Sequence, residues 1–243
     1  QLLSVLRDAV CERLRDWRLL FLITVTSYVL TACETKPLPI PIQRQPQAGF
    51  CDLSDKALQR YVVAINIIGE SSSSGVATLI GQNIYVLTNR HNLPVQPQLE
   101  DIQFRNYRYQ YTKAADIIIL GRDYAKEIGL GPARDYAVLS VKDPSIFVPL
   151  PLHFGRHEGT VVVPSYAARR YEVGRGSQWF TDDLFDRLDF NLAKGASGAP
   201  VITCNGEIAG LYTALIRTED FDRAGFKGVS TPIMTIIDAL ADK

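Results

Sequence analysis

The sequence predicts an all-β protein, a sandwich or a barrel, and three observations carry that reading. Short runs of β-branched and aromatic residues recur along most of the chain, from YVVAINII (61–68) to EIAGLYTAL (207–215). Gly, Asn and Ser separate these runs, and helical periodicity between them is scarce. Hydrophobic residues make up 47% of the 243 and charged residues 21%, which suffices for a core and excludes a disordered or collagen-like chain.

Taken in order, the strands begin at YVVAINII and continue with VATLIG (76–81) and IYVLT (84–88). FRNYRYQY (104–111) alternates aromatic with polar residues, the pattern of a half-exposed hairpin strand. Its arginines would also suit a stacking surface for single-stranded nucleic acid, but the alternation favours the hairpin. ADIIIL (115–120), YAVLSV (136–141), TVVVPSY (160–166) and APVIT (199–203) follow, with Arg169, Arg170 and Arg175 expected on a solvated loop. Asn205-Gly206, between APVIT and EIAGLY, is a strong hairpin signal. Only the end reads as helix. Thr231 can cap it, Pro232 suits its first position, and Ile233, Ile236, Ile237 and Leu240 share a face.

The N-terminal stretch reads differently. Arg13, Arg15 and Arg18 precede an apolar run from Leu19 to Ala32, fourteen residues where a membrane crossing takes about 20. That is the pattern of an export signal. Its end, Leu30-Thr31-Ala32-Cys33, resembles a bacterial lipoprotein signal, which implies lipidation at Cys33 and a membrane-anchored place in the cell envelope or periplasm. A secreted chain, a tilted single-span anchor and a short core helix are the alternatives. Thr35 to Gly49 holds four prolines and reads as a semi-extended linker. The expected division is therefore leader 1–32, linker 33–56 and one folded domain 57–243.

Of the four cysteines none form a CxxC pair, which argues against a zinc site. Cys51 and Cys204 would either join as a disulfide, which an exported chain can keep, or remain two separate buried thiols. With 26 basic against 26 acidic residues the net charge is zero, and a nucleic-acid partner would call for a basic excess. No metal cluster or phosphate loop stands out, so neither a metal nor a cofactor is expected. Nothing in the sequence bears on oligomeric state.

Three local patterns can carry chemistry. Gly195-Ala196-Ser197-Gly198-Ala199-Pro200 sets a serine in a tight turn of small residues that could aim two N–H groups at one point. His91 follows the apolar strand ending Leu87-Thr88, and Asp135 opens the run YAVLSV. Each alone is weak. In chain order they give His, Asp, Ser, the order of the chymotrypsin triad.

With SSGVATLIGQNIYVLTNRH, DYAVLSV and GASGAP in that order, residues 60–240 resemble the trypsin/chymotrypsin-like serine proteases, in particular the bacterial trypsin-like peptidases. The resemblance implies a chymotrypsin-like fold, two packed six-stranded β-barrels with a C-terminal helix, and a serine endopeptidase acting on protein or peptide. It assigns Ser197 as nucleophile, His91 as general base and Asp135 as the group that orients the imidazole. It assigns the amides of Gly195 and Ser197 to an oxyanion hole, and Asn191, Thr213 and Leu215 to substrate binding. Asp116, which precedes IIIL, is a rival for Asp135, and Asp189 lies close to the expected pocket base. His153 and His157 would break the order and are expected on surface loops. Ala196 stands where digestive enzymes have an aspartate that pairs with a newly cut N-terminus, so activation by that ion pair is not expected. The alternative is a catalytically silent binding module on the same fold.

Overall fold

The computed structural model describes residues 49–69, 72–122, 134–167, 170–180, 185–214 and 227–242. The leader, Cys33, the linker as far as residue 48, Arg169 and Leu215 lie outside the described residues.

Twelve strands close into two antiparallel barrels. The first comprises β1 (Val63–Ile67), β2 (Ser73–Ile80), β3 (Asn83–Thr88), β4 (Ile102–Arg105), β5 (Tyr111–Leu120) and β6 (Ala137–Val141). The second comprises β7 (Gly159–Ala167), β8 (Arg170–Trp179), β9 (Asp186–Leu188), β10 (Pro200–Thr203), β11 (Ile208–Ala214) and β12 (Gly228–Pro232). Around the first barrel the order is 1-2-3-6-5-4, and around the second 7-8-9-12-11-10, the same connectivity used twice. A short helix α1 (Asp55–Leu58) precedes the barrels, and α2 (Ile233–Ala241) follows them.

Three cores explain why so many strands read as continuous apolar runs rather than alternating ones. Val86 of β3 points into the first barrel with Ile65, Phe104 and Leu139. Its neighbour Leu87 points outward, into a core shared with Val162, Ile202 and Leu211 of the second barrel and with Ile233 and Ile236 of α2. Both faces of such a strand are dry. The interior of the second barrel is built from smaller side chains, among them Ala196, Ala199, Val161, Val163 and Val201.

Several local expectations change. Residues 49–56 belong to the folded body rather than to a linker. Phe50 is buried in the shared core beside Tyr61, and Ser54 caps α1 by accepting the Ala57 N–H at 3.3 Å. Cys51 is joined to Cys204 with Cα atoms 4.7 Å apart, tying this segment to the β10–β11 hairpin. Arg170 and Arg175 lie in strand β8, and Arg175 pairs with Asp55 at 2.6 Å. FRNYRYQY supplies the end of β4, a turn and the start of β5. Thr231 does not cap the final helix. It is a buried β12 residue, and Pro232 holds the cap position.

Candidate active site

The ends of paired strands bring the polar residues together. β3 and β6 are antiparallel neighbours with Thr88 opposite Ala137, so the residues just beyond β3 meet those just before β6. His91 sits in the single turn Arg90–Asn92 that follows β3. Buried Arg90 fixes this turn by donating to the carbonyls of Leu93, Pro94 and Val95. Asp135 is fully buried, and both carboxylate oxygens face His91. Oδ1 accepts the His91 backbone N–H at 2.9 Å, and Oδ2 lies 2.5 Å from Nδ1. The rival Asp116 is an exposed β5 residue whose carboxylate accepts the N–H of Ile117.

Ser197 comes from the second barrel and is docked on the first. Its carbonyl accepts the Ser74 N–H at 3.1 Å and the Asn92 side-chain amide at 2.8 Å, so the residue next to His91 grips the serine turn. The turn is pinned again at Gly198, whose N–H donates to Tyr212 at 2.7 Å. Gly198 has φ +86, and a Cβ there would collide with the Ser74 carbonyl and the Thr88 hydroxyl. Only glycine allows this approach. The Ser197 hydroxyl donates to the Thr213 carbonyl at 2.9 Å.

The loop before the serine is tethered at two points absent from the sequence expectations. The buried Tyr212 hydroxyl accepts the Leu192 N–H at 3.1 Å, and Glu172 Oε1 accepts the Ala193 N–H at 2.8 Å. Burial is the main cause raising the Tyr212 phenol pKa above its ordinary value. Ala193 then accepts the Ala196 N–H at 3.1 Å, closing the turn, while Gly195 takes a left-handed φ of +97. Among the described residues, the Gly195 and Ser197 amides between these anchors donate to no protein acceptor. No linear signal in the sequence points to Glu172, because its role depends on the pairing of β8 with distant segments.

The residues expected to bind substrate divide. Asn191 is exposed beside the serine loop. Thr213 is 1% exposed, and its hydroxyl donates to the Leu211 carbonyl at 2.9 Å. It joins a buried node with Thr231 at 2.8 Å and with Asn89, whose amide also reaches the Asp135 carbonyl at 2.6 Å. A threonine inside a packed seam satisfies its own hydroxyl there, so Thr213 presents its carbonyl rather than its side chain to Ser197. The Asp189 carboxylate is held by the Ser177 N–H at 2.8 Å. His153 is paired with Glu207 at 2.8 Å, and His157 is half-buried, its pKa lowered chiefly by burial. Among the described residues, no three His, Cys, Asp or Glu side chains converge as a metal site would require.

A trypsin-like peptidase domain model matches residues 74–211, more than half of the chain. The fold resembles that of a serine endoprotease from Yersinia pestis, with a TM-score of 0.57 and 20% identity over 78% of this chain and 66% of that one. It also resembles the inactive form of a serine-to-alanine mutant of Rv3671c from M. tuberculosis H37Rv, with a TM-score of 0.54 and 17% identity over 82% and 94%. No curated protein matches. With its two barrels and residues 74–211 matching that domain, the chain belongs to the trypsin-like peptidase domain family.

Proposed function

We propose that the protein is a serine endopeptidase in which Ser197, His91 and Asp135 hydrolyse peptide bonds through an acyl-enzyme. The observation that carries this reading is the joint placement of the two halves of the site. Asp135 engages His91 through both carboxylate oxygens, and Asn92, the next residue, holds the Ser197 carbonyl.

Chemistry follows from that geometry. A serine hydroxyl is a poor nucleophile while protonated. Turning from the Thr213 carbonyl toward His91, it gives its proton to Nε2 as Oγ attacks the substrate carbonyl carbon. Asp135 accepts from Nδ1–H, which fixes the tautomer and stabilises the imidazolium. The tetrahedral oxyanion sits between the Gly195 and Ser197 amides. Losing one such donor typically costs about 10²–10³ in rate. The intermediate collapses as the His91 proton passes to the leaving amine. Water, deprotonated by His91, then attacks the acyl-serine and frees the acid.

The same reading places the domain in an oxidising compartment, where the Cys51–Cys204 disulfide persists. Export through the 1–32 leader and a lipid on Cys33 complete the proposal, putting the peptidase domain at the envelope.

The test is activity-based labelling of the full chain with a fluorophosphonate, alongside hydrolysis of a denatured protein. Labelling should require both Ser197 and His91, and Ser197→Ala should lower hydrolysis by at least about 10³. A folded wild-type protein that is neither labelled nor hydrolytic would instead be a binding module.

A further inference from the structure

We propose that Arg105 forms an anion-recognition subsite on the leaving-group side of the cleft, taking a carboxylate side chain of the peptide substrate. This rests on the peptidase reading above. It begins from a strained residue that the chemistry does not use. Tyr109, in the turn between β4 and β5, has φ +61, the one non-glycine residue at positive φ among the described residues. That conformation costs on the order of 1–3 kcal/mol for a bulky side chain. Burial does not explain it, since Tyr109 is 68% exposed.

The turn is built to impose it. Buried Asn106 accepts the N–H groups of Arg108 and Gln110 through Oδ1, at 2.9 and 3.0 Å. Its amide donates to the Ile146 carbonyl at 2.8 Å. The result is a tyrosine ring held 4.7 Å from the Arg105 guanidinium carbon. A second ring, Tyr166 of β7, lies 5.0 Å from the same carbon. Aromatic rings engage the π face of a guanidinium and leave its N–H edge for other partners. Among the described residues no carboxylate, carbonyl or hydroxyl accepts from the Arg105 guanidinium. A preset fork with an open edge suits a bidentate carboxylate.

Position gives the site its meaning. Arg105 of β4 lies opposite Ala64 of β1, and Ala64 lies opposite Ser74 of β2. Facing residues on neighbouring strands share a side of the sheet, so the three form one row. Ser74 ends that row at the active site, donating its N–H to the Ser197 carbonyl and accepting the Tyr166 N–H at 2.9 Å. Two strand spacings place Arg105 roughly 10 Å from Ser74, about three residues of extended peptide. The row lies on the first barrel, the His91 side of Ser197. That is the side toward which the leaving amine departs, because His91 protonates it.

Internally quenched peptides differing only by Glu or Gln at the second to fourth residue beyond the scissile bond test this directly. Wild type should favour Glu at one of these positions by about tenfold in kcat/KM, an advantage that shrinks with added salt. Arg105→Met keeps an apolar stem beside the rings and should bring the ratio near one. Arg105→Lys should restore part of it. A wild-type ratio near one, or a preference that survives Arg105→Met, overturns the proposal while leaving the peptidase reading intact. If no peptide is cleaved, that reading fails instead. The subsite is then decided by fluorescence anisotropy of the labelled Glu peptides on the Ser197→Ala protein. Binding lost in the added Arg105→Met variant supports it, and binding indifferent to Arg105 or absent overturns it.

Discussion

The two barrels share one connectivity and differ in what they enclose. The first is filled with Ile65, Phe104, Leu139 and their aliphatic neighbours, and it presents His91 and Asp135 from strand ends that this packing holds rigid. The second combines alanines and valines with a buried polar cluster. Asp186 of β9 lies opposite Ser230 of β12, and Gln178 donates to its carboxylate at 2.5 Å. Among the described residues, Gln178 Oε1, Asp186 Oδ1 and Ser230 Oγ are buried with no partner. Repeating a topology therefore does not repeat its energetics. The first barrel carries His91 and Asp135, and the second carries the serine loop together with a buried carboxylate that burial penalises.

The sharpest way to break this arrangement is to lift the second barrel's serine turn off the first. Gly198→Ala adds a methyl group against the Ser74 backbone at φ +86. The neighbour it meets is backbone, so it cannot swing aside. We expect a loss of about 3 kcal/mol or more, roughly 10 °C in Tm. Hydrolytic activity should be lost even at temperatures where the variant stays folded, because the turn can no longer dock at Asn92 and Ser74. A variant with wild-type Tm and activity would show that the barrels are not locked together there.

The next prediction addresses the second barrel alone. Burial raises the Asp186 pKa from 3.8 to about 7, against a smaller lowering by the Gln178 hydrogen bond. Between about pH 4 and 7 the native protein keeps a proton that the unfolded chain has released. Native stability contributed by this group thus falls as pH rises through that window and is level above it. The shift corresponds to about 4 kcal/mol. Asp186→Asn cannot ionise, so the variant should gain on wild type with rising pH and exceed it by up to roughly 10 °C in Tm at pH 8. Paired melts at pH 4.5 and 8 measure this, and an unchanged difference between the two proteins would remove the contrast between barrels.

The same contrast governs what could be read from the sequence. The first barrel's strands, and those of the second that pack on it, announce themselves as β-branched runs because both faces are dry. β8, RYEVGRGSQW, is glycine-rich and charged, and reads as loop, since its glycines accommodate Phe190 and Asp189 across the barrel. β9 and β12 are too short and too polar to stand out. At the site, order along the chain singled out His91, Asp135 and Ser197. Thr231, read as a helix cap, lies instead in a buried node with Thr213, because a threonine's partners belong to the tertiary seam, not to its sequence neighbours. Glu172 was invisible for the same reason, being 21 residues from the amide that it holds.

That carboxylate supplies the smallest expected effect and the finest discrimination. Position 196 is alanine and offers no charge to lock the serine loop, so the tethers are Tyr212 on Leu192 and Glu172 on Ala193. Glu172 lies on β8, inside the second barrel's wall, and touches no reacting atom. If it positions the Gly195 amide through the loop, Glu172→Ala should lower kcat by about tenfold and leave KM nearly unchanged, since the oxyanion forms only in the transition state. Glu172→Gln keeps an acceptor oxygen at the same reach and should recover most of the rate. A merely structural role would lower Tm while leaving kcat per folded molecule intact. The split between kcat and KM, read beside the melt, therefore separates a loop set by the second barrel from one set by its docking on the first.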